Sequence, residues 1–159
     1  MNNLENIFND VSTIGEYSKK YFSYLNKLLN SINEMELNKL ADIFETTRDK
    51  GNTIFVAGNG GSSTTAMTMV NDIGIDTFNK TNIDKAFKLH SLVDNNSLIT
   101  SIANDLGYEN IFTTQLKIYY SNGDSIILIS ASGNSPNIIE AAKWVKSRGG
   151  KIISFTGFE

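Results

Sequence analysis

The sequence predicts an α/β fold: a parallel sheet with helices on both of its faces. Short, almost wholly apolar runs of strand formers recur, most clearly Thr53-Ile54-Phe55-Val56-Ala57 and Ser125-Ile126-Ile127-Leu128-Ile129. Such runs suit strands buried on both faces. Each is followed by a glycine- or serine-rich loop and then by a helix-like segment, and the repeated strand–loop–helix order implies parallel pairing. A long helical stretch precedes all of this. No boundary for a second domain is visible, so residues 1–159 are expected to form one domain. Within it, 1–50 are N-terminal helices and 51–159 a strand–loop–helix core.

The elements follow in order. Ile7, Val11, Ile14, Tyr17 and Tyr21 recur at three- or four-residue spacing, and Tyr24, Leu25, Leu28 and Leu29 continue the stripe. This apolar face calls for a partner, either the domain itself or another subunit. Ser31 followed by Glu34 matches a capping box, with a second helix over 35–48 and a stop at Lys50-Gly51-Asn52. After the strand at 53–57, residues 58–63 form a loop and 64–73 a helix. A second strand is expected over 86–93, and helical segments over 95–104 and 108–120. The strand at 124–129 runs into Ser130-Ala131-Ser132-Gly133-Asn134-Ser135. Pro136 suits the first turn of a helix, whose apolar face is Ile138, Ala141, Ala142 and Val145. Arg148-Gly149-Gly150 ends that helix, and 151–156 is the last strand.

Composition narrows the function classes. With no cysteine, disulfides, thiolate metal sites and cysteine nucleophiles are excluded. A net charge of −3 with scattered basic residues gives no electrostatic case for nucleic acid. No run approaches the length of a membrane helix, and the polar, acidic start does not suit a signal peptide. A soluble, cytoplasmic protein with neither nucleic-acid nor membrane partners is expected.

The chemistry gathers in two loops at the carboxyl ends of apolar strands, where open α/β sheets bind ligands. The first is Gly58-Asn59-Gly60-Gly61-Ser62-Ser63. Its glycines permit close backbone approach to an anion, and the helix that follows offers unpaired N–H groups. The second, residues 130–135, brings three serine hydroxyls to a similar helix start. Neither loop contains lysine or arginine, so a phosphate here would be held by hydroxyls and backbone amides. The first loop lacks both the lysine and the spacing of a P-loop, and a serine at position 63 breaks the dinucleotide-binding glycine pattern.

Three segments then carry a specific resemblance. They are Val-Ala-Gly-Asn-Gly-Gly-Ser at 56–62, Ile-Ala-Asn-Asp-Leu-Gly-Tyr-Glu-Asn-Ile-Phe at 102–112, and Gly-Asp-Ser-Ile-Ile-Leu-Ile-Ser-Ala-Ser-Gly-Asn-Ser-Pro-Asn at 123–137. In this order they resemble the phosphoheptose isomerase family within the SIS, or sugar isomerase, superfamily. The likeness runs from about residue 10 to the last residue. It implies an SIS-type three-layer α/β/α sandwich with a parallel sheet and an N-terminal helical segment, lacking the family's last strand and helix. It also implies ketose–aldose isomerisation of sedoheptulose 7-phosphate and a heptose 7-phosphate through an enediol, in surface heptose synthesis. The partners implied are a phosphorylated sugar and further copies of the chain, as a homotetramer.

By resemblance, Asn59, Gly60, Gly61 and Ser62 contact substrate, as do Asn104, Asp105, Ser130, Ala131, Ser132 and Ser135. Threonine is usual in the family where Ala131 stands. The family's helix after the first loop carries a histidine and, four residues later, a glutamate that bind zinc. Here those positions hold Thr68 and Asp72, so no metal ligand set and no cofactor are supported. Asp72 and Asp105 remain as proton-transfer candidates, with Asp105 alternatively a cap of the turn before Gly107. The family continues past 155–157 with a strand and a helix that supply a glutamine and a histidine, and this chain stops at Glu159. His90, the only histidine, reads as a packed structural residue, with an acid–base role as the alternative. Trp144 is expected in the partial core, and Met67 and Met69 as gap fillers. Retained loops beside altered metal positions leave a second reading open: a sugar-phosphate-binding or regulatory SIS module without catalysis.

Overall fold

The computed structural model describes residues 3–157. The expected loss of the family's last strand and helix concerns positions outside the described residues. The chain divides into two compact units between Lys39 and Leu40.

The first unit holds α1 (Asn3–Asn9), α2 (Ile14–Asn30) and the start of α3 (Glu34–Asp49). The apolar stripe suggested continuous helix, but the chain breaks between α1 and α2. Thr13 caps α2: its hydroxyl accepts from the Glu16 amide (3.2 Å), and the Glu16 carboxylate accepts from the Thr13 amide (3.3 Å). This reciprocal capping box satisfies two amides that a continuous helix would have bonded elsewhere. The box expected at Ser31 and Glu34 does not form. Ser31 closes α2 instead, its hydroxyl donating to the Leu28 carbonyl (2.8 Å), and Asn33 Oδ1 opens α3 by accepting from the Met35 amide (2.8 Å). No residue of α1 or α2 is buried, and Phe8, Ile14 and Phe22 are 66%, 79% and 64% exposed.

In the second unit a four-stranded parallel sheet runs in the order β2-β1-β3-β4. The strands are β1 (Thr53–Gly58), β2 (Lys88–Ser91), β3 (Ser125–Ile129) and β4 (Lys151–Phe155). The sequence placed the second strand two residues too early at its start. Ile54 to Ala57 and Ile126 to Leu128 are buried, which is why these two runs lacked polar alternation. Between β1 and β2 come α4 (Gly61–Met69), a π-wound turn (Val70–Asp76) and α5 (Thr77–Lys80). The expected helix over 64–73 therefore starts three residues earlier and changes winding at Val70. The wider turn is closed by Thr77, whose amide and hydroxyl both donate to the Asp72 carbonyl. Between β2 and β3 lie α6 (Asn96–Leu106), a 3₁₀ turn (Tyr108–Asn110) and α7 (Ile111–Tyr119); α8 (Pro136–Ser147) joins β3 to β4.

From β1 the chain steps one way to β2, then back past β1 to β3 and onward to β4. Right-handed crossovers in opposite directions place the intervening helices on opposite faces. The direction reverses between β1 and β3, so the two loops singled out from the sequence lie side by side at the topological switch point.

At the other end of the sheet Asp124, 4% exposed, ties β1 to β3. Its carboxylate accepts from the amides of Thr53 (2.8 Å) and Ser121 (2.7 Å) and from the Asn52 side chain (3.2 Å). Nearby, the Tyr120 hydroxyl donates to the Asp124 carbonyl (2.7 Å); burial, aided by the neighbouring Asp124 carboxylate, pushes its pKa up. His90 sits in β2 between the rings of Phe55 and Tyr119, each centroid 5.5 Å away, as a packed aromatic. Trp144 meets Tyr120 edge-on and carries Arg148 over its outer face, a partial-core position. Met69 packs against the core, whereas Met67 is 43% exposed and fills no gap. Among the described residues no helix is long and apolar enough to cross a membrane.

Candidate functional site

The first loop is tighter than its sequence implied. β1 runs to Gly58 and α4 begins at Gly61, leaving Asn59 and Gly60 between them. A side chain on Gly58 would stand 2.7 Å from the Ser62 carbonyl oxygen and Cβ, so the close approach of strand to helix requires glycine. Gly60 adopts φ 54°, the left-handed side that glycine tolerates, as the N-cap of α4. The turn is closed by the Ser62 and Ser63 amides, which donate to the carbonyls of Asn59 and Gly60 (both 3.0 Å), and by the Ser63 hydroxyl (2.6 Å to Gly60). Above Gly60 and Gly61 no atom lies within 4 Å of where a Cβ would stand. The helix start thus faces open space, with amides disposed to meet an anion.

The second loop is held by its own hydroxyls. Ser130 Oγ accepts from the Gly133 amide and Ser132 Oγ from the Asn134 amide, both at 3.2 Å. The edge strand supports it from behind: the Ser130 amide donates to the Phe155 carbonyl (3.0 Å) and the Gly157 amide to that of Ala131 (2.9 Å). Ala131 and Ser132 are exposed, and Ser130 is buried. Ser135 is the N-cap of α8, with Pro136 next, yet its hydroxyl makes no capping bond.

Asn59 joins the two loops. Its Nδ2 donates to Asn137 Oδ1 (2.9 Å), and Asn137 Nδ2 donates back to Asn59 Oδ1 (2.8 Å), a reciprocal amide pair. The Tyr108 hydroxyl, from the 3₁₀ turn beyond α6, donates to the same Asn59 oxygen (3.1 Å). The segments 56–62, 102–112 and 123–137 therefore converge on one side chain. Asn59 was expected to contact substrate; its Oδ1 is taken by Asn137 and Tyr108 and one Nδ2 hydrogen by Asn137, which leaves the second Nδ2 hydrogen and the adjoining backbone to meet a ligand.

Asn137 and Tyr108 were not read as site residues. The signal for Asn137 was present: it stands four and eight residues before Ala141 and Val145, a polar residue on the apolar face of its helix. Tyr108 carried no distinguishing signal.

The other expected residues lie apart. Asn104 and Asp105 are exposed at the end of α6, where Asn104 Nδ2 donates to the Asp105 carboxylate (2.8 Å). Asp105 does not cap the turn at Gly107. The Asn110 side chain and amide close it, on the carbonyls of Leu106 and Gly107. Asp72 is exposed on the π-wound turn and accepts from Asn71 Nδ2 (3.1 Å); Thr68 is exposed on α4. Asp72 stands eleven positions after Gly61, roughly 16 Å along the helix axis.

The donor set does not fit zinc. Threonine stands where a histidine ligand is expected, His90 is packed between rings, and among the described residues no three His, Asp or Glu side chains gather into a metal site.

The chain is similar to known proteins over most of its length. The profile of the SIS domain family matches residues 20–157. A probable phosphoheptose isomerase of Thermoplasma acidophilum is 34% identical over 140 residues, covering 88% of this chain and 75% of that protein. A phosphoheptose isomerase of Fusobacterium nucleatum is 35% identical, covering 87% and 70%. Among solved structures, a phosphoheptose isomerase from Neisseria gonorrhoeae superposes with a TM-score of 0.78 at 25% identity, over 91% of this chain and 75% of that one. One from Francisella tularensis, at 21% identity, shares the fold with a TM-score of 0.77.

Proposed function

Since the chain belongs to the phosphoheptose isomerase family of SIS-domain proteins, we propose that it isomerises sedoheptulose 7-phosphate and a heptose 7-phosphate, as a step toward surface heptoses. The observation that carries this reading is the pair of cation-free loops at the switch point, locked together through Asn59 and Asn137. The phosphate would rest on the hydroxyls of Ser132 and Ser135 and on the open amides of Gly60 and Gly61, with Ser62, Ser130 and Ala131 shaping the floor. Asn104 and Asp105 would face the sugar end.

The reaction needs only proton transfers. A carboxylate takes a C1 proton from the ketose while the carbonyl oxygen at C2 is protonated, giving the enediol. A proton then returns to C2 as the C1 hydroxyl loses its own, leaving the aldehyde. No step is routed through zinc, because the residues present do not form its site. Asp105 suits the carboxylate role better than Asp72. It shares a segment with Tyr108, which reaches the first loop, whereas Asp72 lies well down its helix from that loop.

Calorimetric titration with sedoheptulose 7-phosphate, with and without zinc, alongside an assay for aldose product, tests the reading. Binding with zinc-independent turnover supports it. Binding without turnover would make the chain a sugar-phosphate-responsive module, and absence of binding would leave the loops as fold elements only.

The exposed apolar residues of α1 and α2 support self-association into a homo-oligomer, tetrameric by family likeness. Light scattering coupled to gel filtration should show an oligomer, and Phe22→Glu should shift it toward monomer. A monomeric parent protein would overturn this.

A further inference from the structure

Asn137 is fully buried on the apolar face of α8, among Ile138, Ala141 and Val145. Burying an amide there is costly unless its polar atoms are met. Within α8 it meets one group, the Ile138 amide, which donates to its Oδ1 (3.0 Å). Its Oδ1 also accepts from Asn59 and its Nδ2 donates to Asn59, in the reciprocal pair at 2.9 and 2.8 Å. The start of α8 and the residue after β1 are thus tied by two directional bonds across the switch point. Tyr108 supplies a third at 3.1 Å, from the segment that also carries Asp105.

The bonds leave few ways to arrange Asn59. Its Oδ1 is shared by two donors and its Nδ2 by one acceptor, so its backbone, and the Gly60-Gly61 amides that follow, are set by Asn137 rather than by the short loop alone. We propose that Asn137 is a positioning residue for sugar-phosphate binding. It fixes the first loop against the serine loop through Asn59, with Tyr108 as the second anchor. This rests on the reading that the two loops hold the phosphosugar. Misplacement of groups by about 1 Å is enough to cost a site much of its effect.

The test compares Asn137→Ala and Tyr108→Phe with the parent chain. Hydrogen exchange is followed at the Ser62 and Ser63 amides, whose acceptors are the Asn59 and Gly60 carbonyls; affinity for sedoheptulose 7-phosphate and the separate values of KM and kcat are also measured. Asn137→Ala should speed exchange at both serines and weaken affinity about 10-fold, the effect of losing a buried hydrogen-bonded pair. Tyr108 is 55% exposed, so Tyr108→Phe should leave the melting temperature nearly unchanged. It should still shift exchange and affinity the same way, by about 3-fold.

A fall in melting temperature with unchanged serine exchange and affinity would overturn the proposal and reduce the pair to core packing. If Asn137→Ala does not fold, Tyr108→Phe decides alone, and unchanged exchange and affinity there overturn it. If the parent chain binds no sugar phosphate, the functional reading falls. The exchange data on the unliganded protein would still decide whether Asn137 and Tyr108 hold the first loop.

Discussion

Asp105→Asn should lower kcat for heptose phosphate isomerisation by about 10²–10⁴-fold, the range for loss of a general base. Asp105 is exposed at the end of α6, and asparagine can still accept from Asn104 through its remaining oxygen. The variant should therefore keep the parent's melting temperature, and KM should move far less than kcat. Asp72→Asn is the control. Its carboxylate accepts from the adjacent Asn71 side chain and adds weakly to the field on Lys80, and its carbonyl, which closes the π-wound turn, is untouched by the substitution. Its loss of turnover should be at least tenfold smaller. Steady-state kinetics on both variants checks this. A larger loss at Asp72 would exchange the two roles, and parent-like rates in both would remove aspartate from the chemistry.

Asp124→Ala should destabilise the fold by about 2–4 kcal/mol, as two backbone amides and one side-chain amide lose a charged acceptor. That is a large fraction of the roughly 5–15 kcal/mol that holds a domain of this kind together. Asp124→Asn, which keeps one carbonyl oxygen, should cost about half as much. The clamp joins the starts of β1 and β3, at the opposite end of the strands from the two loops. Whatever remains folded should then bind sugar phosphate as the parent does. Urea unfolding monitored by Trp144 fluorescence gives the stability. A loss below about 1 kcal/mol would mean that water replaces the carboxylate.

The strands that build the site were legible in the sequence because they are buried on both faces, so their apolar runs are unbroken. Their sheet order was not legible. It became visible only with the pairing of β1 to both β2 and β3, which makes neighbours of two loops more than 70 residues apart. Capping was ambiguous for a local reason. Thr13 with Glu16 and Ser31 with Glu34 fit the same four-residue pattern, and only the direction of the Ser31 hydroxyl, back to Leu28, separates them. The π-wound turn after α4 left no mark in composition or spacing; its closing contact, the Thr77 amide and hydroxyl on the Asp72 carbonyl, is a backbone feature that residue types do not announce. Asn59 was found through its loop. Asn137 was marked only as a polar residue on an apolar helix face, which does not say that its partner lies 78 positions away, and Tyr108, 49 positions from Asn59, carried no local signature.

The central place of β1 has a consequence for synthesis. It precedes the other described strands, yet Thr53 pairs with Lys88, 35 positions later, and Ile54 with Ser125, 71 positions later. At about 5–20 residues per second, its second neighbour emerges roughly 4–14 s behind it. For that interval an apolar strand that ends wholly enclosed has an open edge, able to pair with the wrong chain. The residues that build the centre of the sheet are thus those most in need of a chaperone while the chain is still growing.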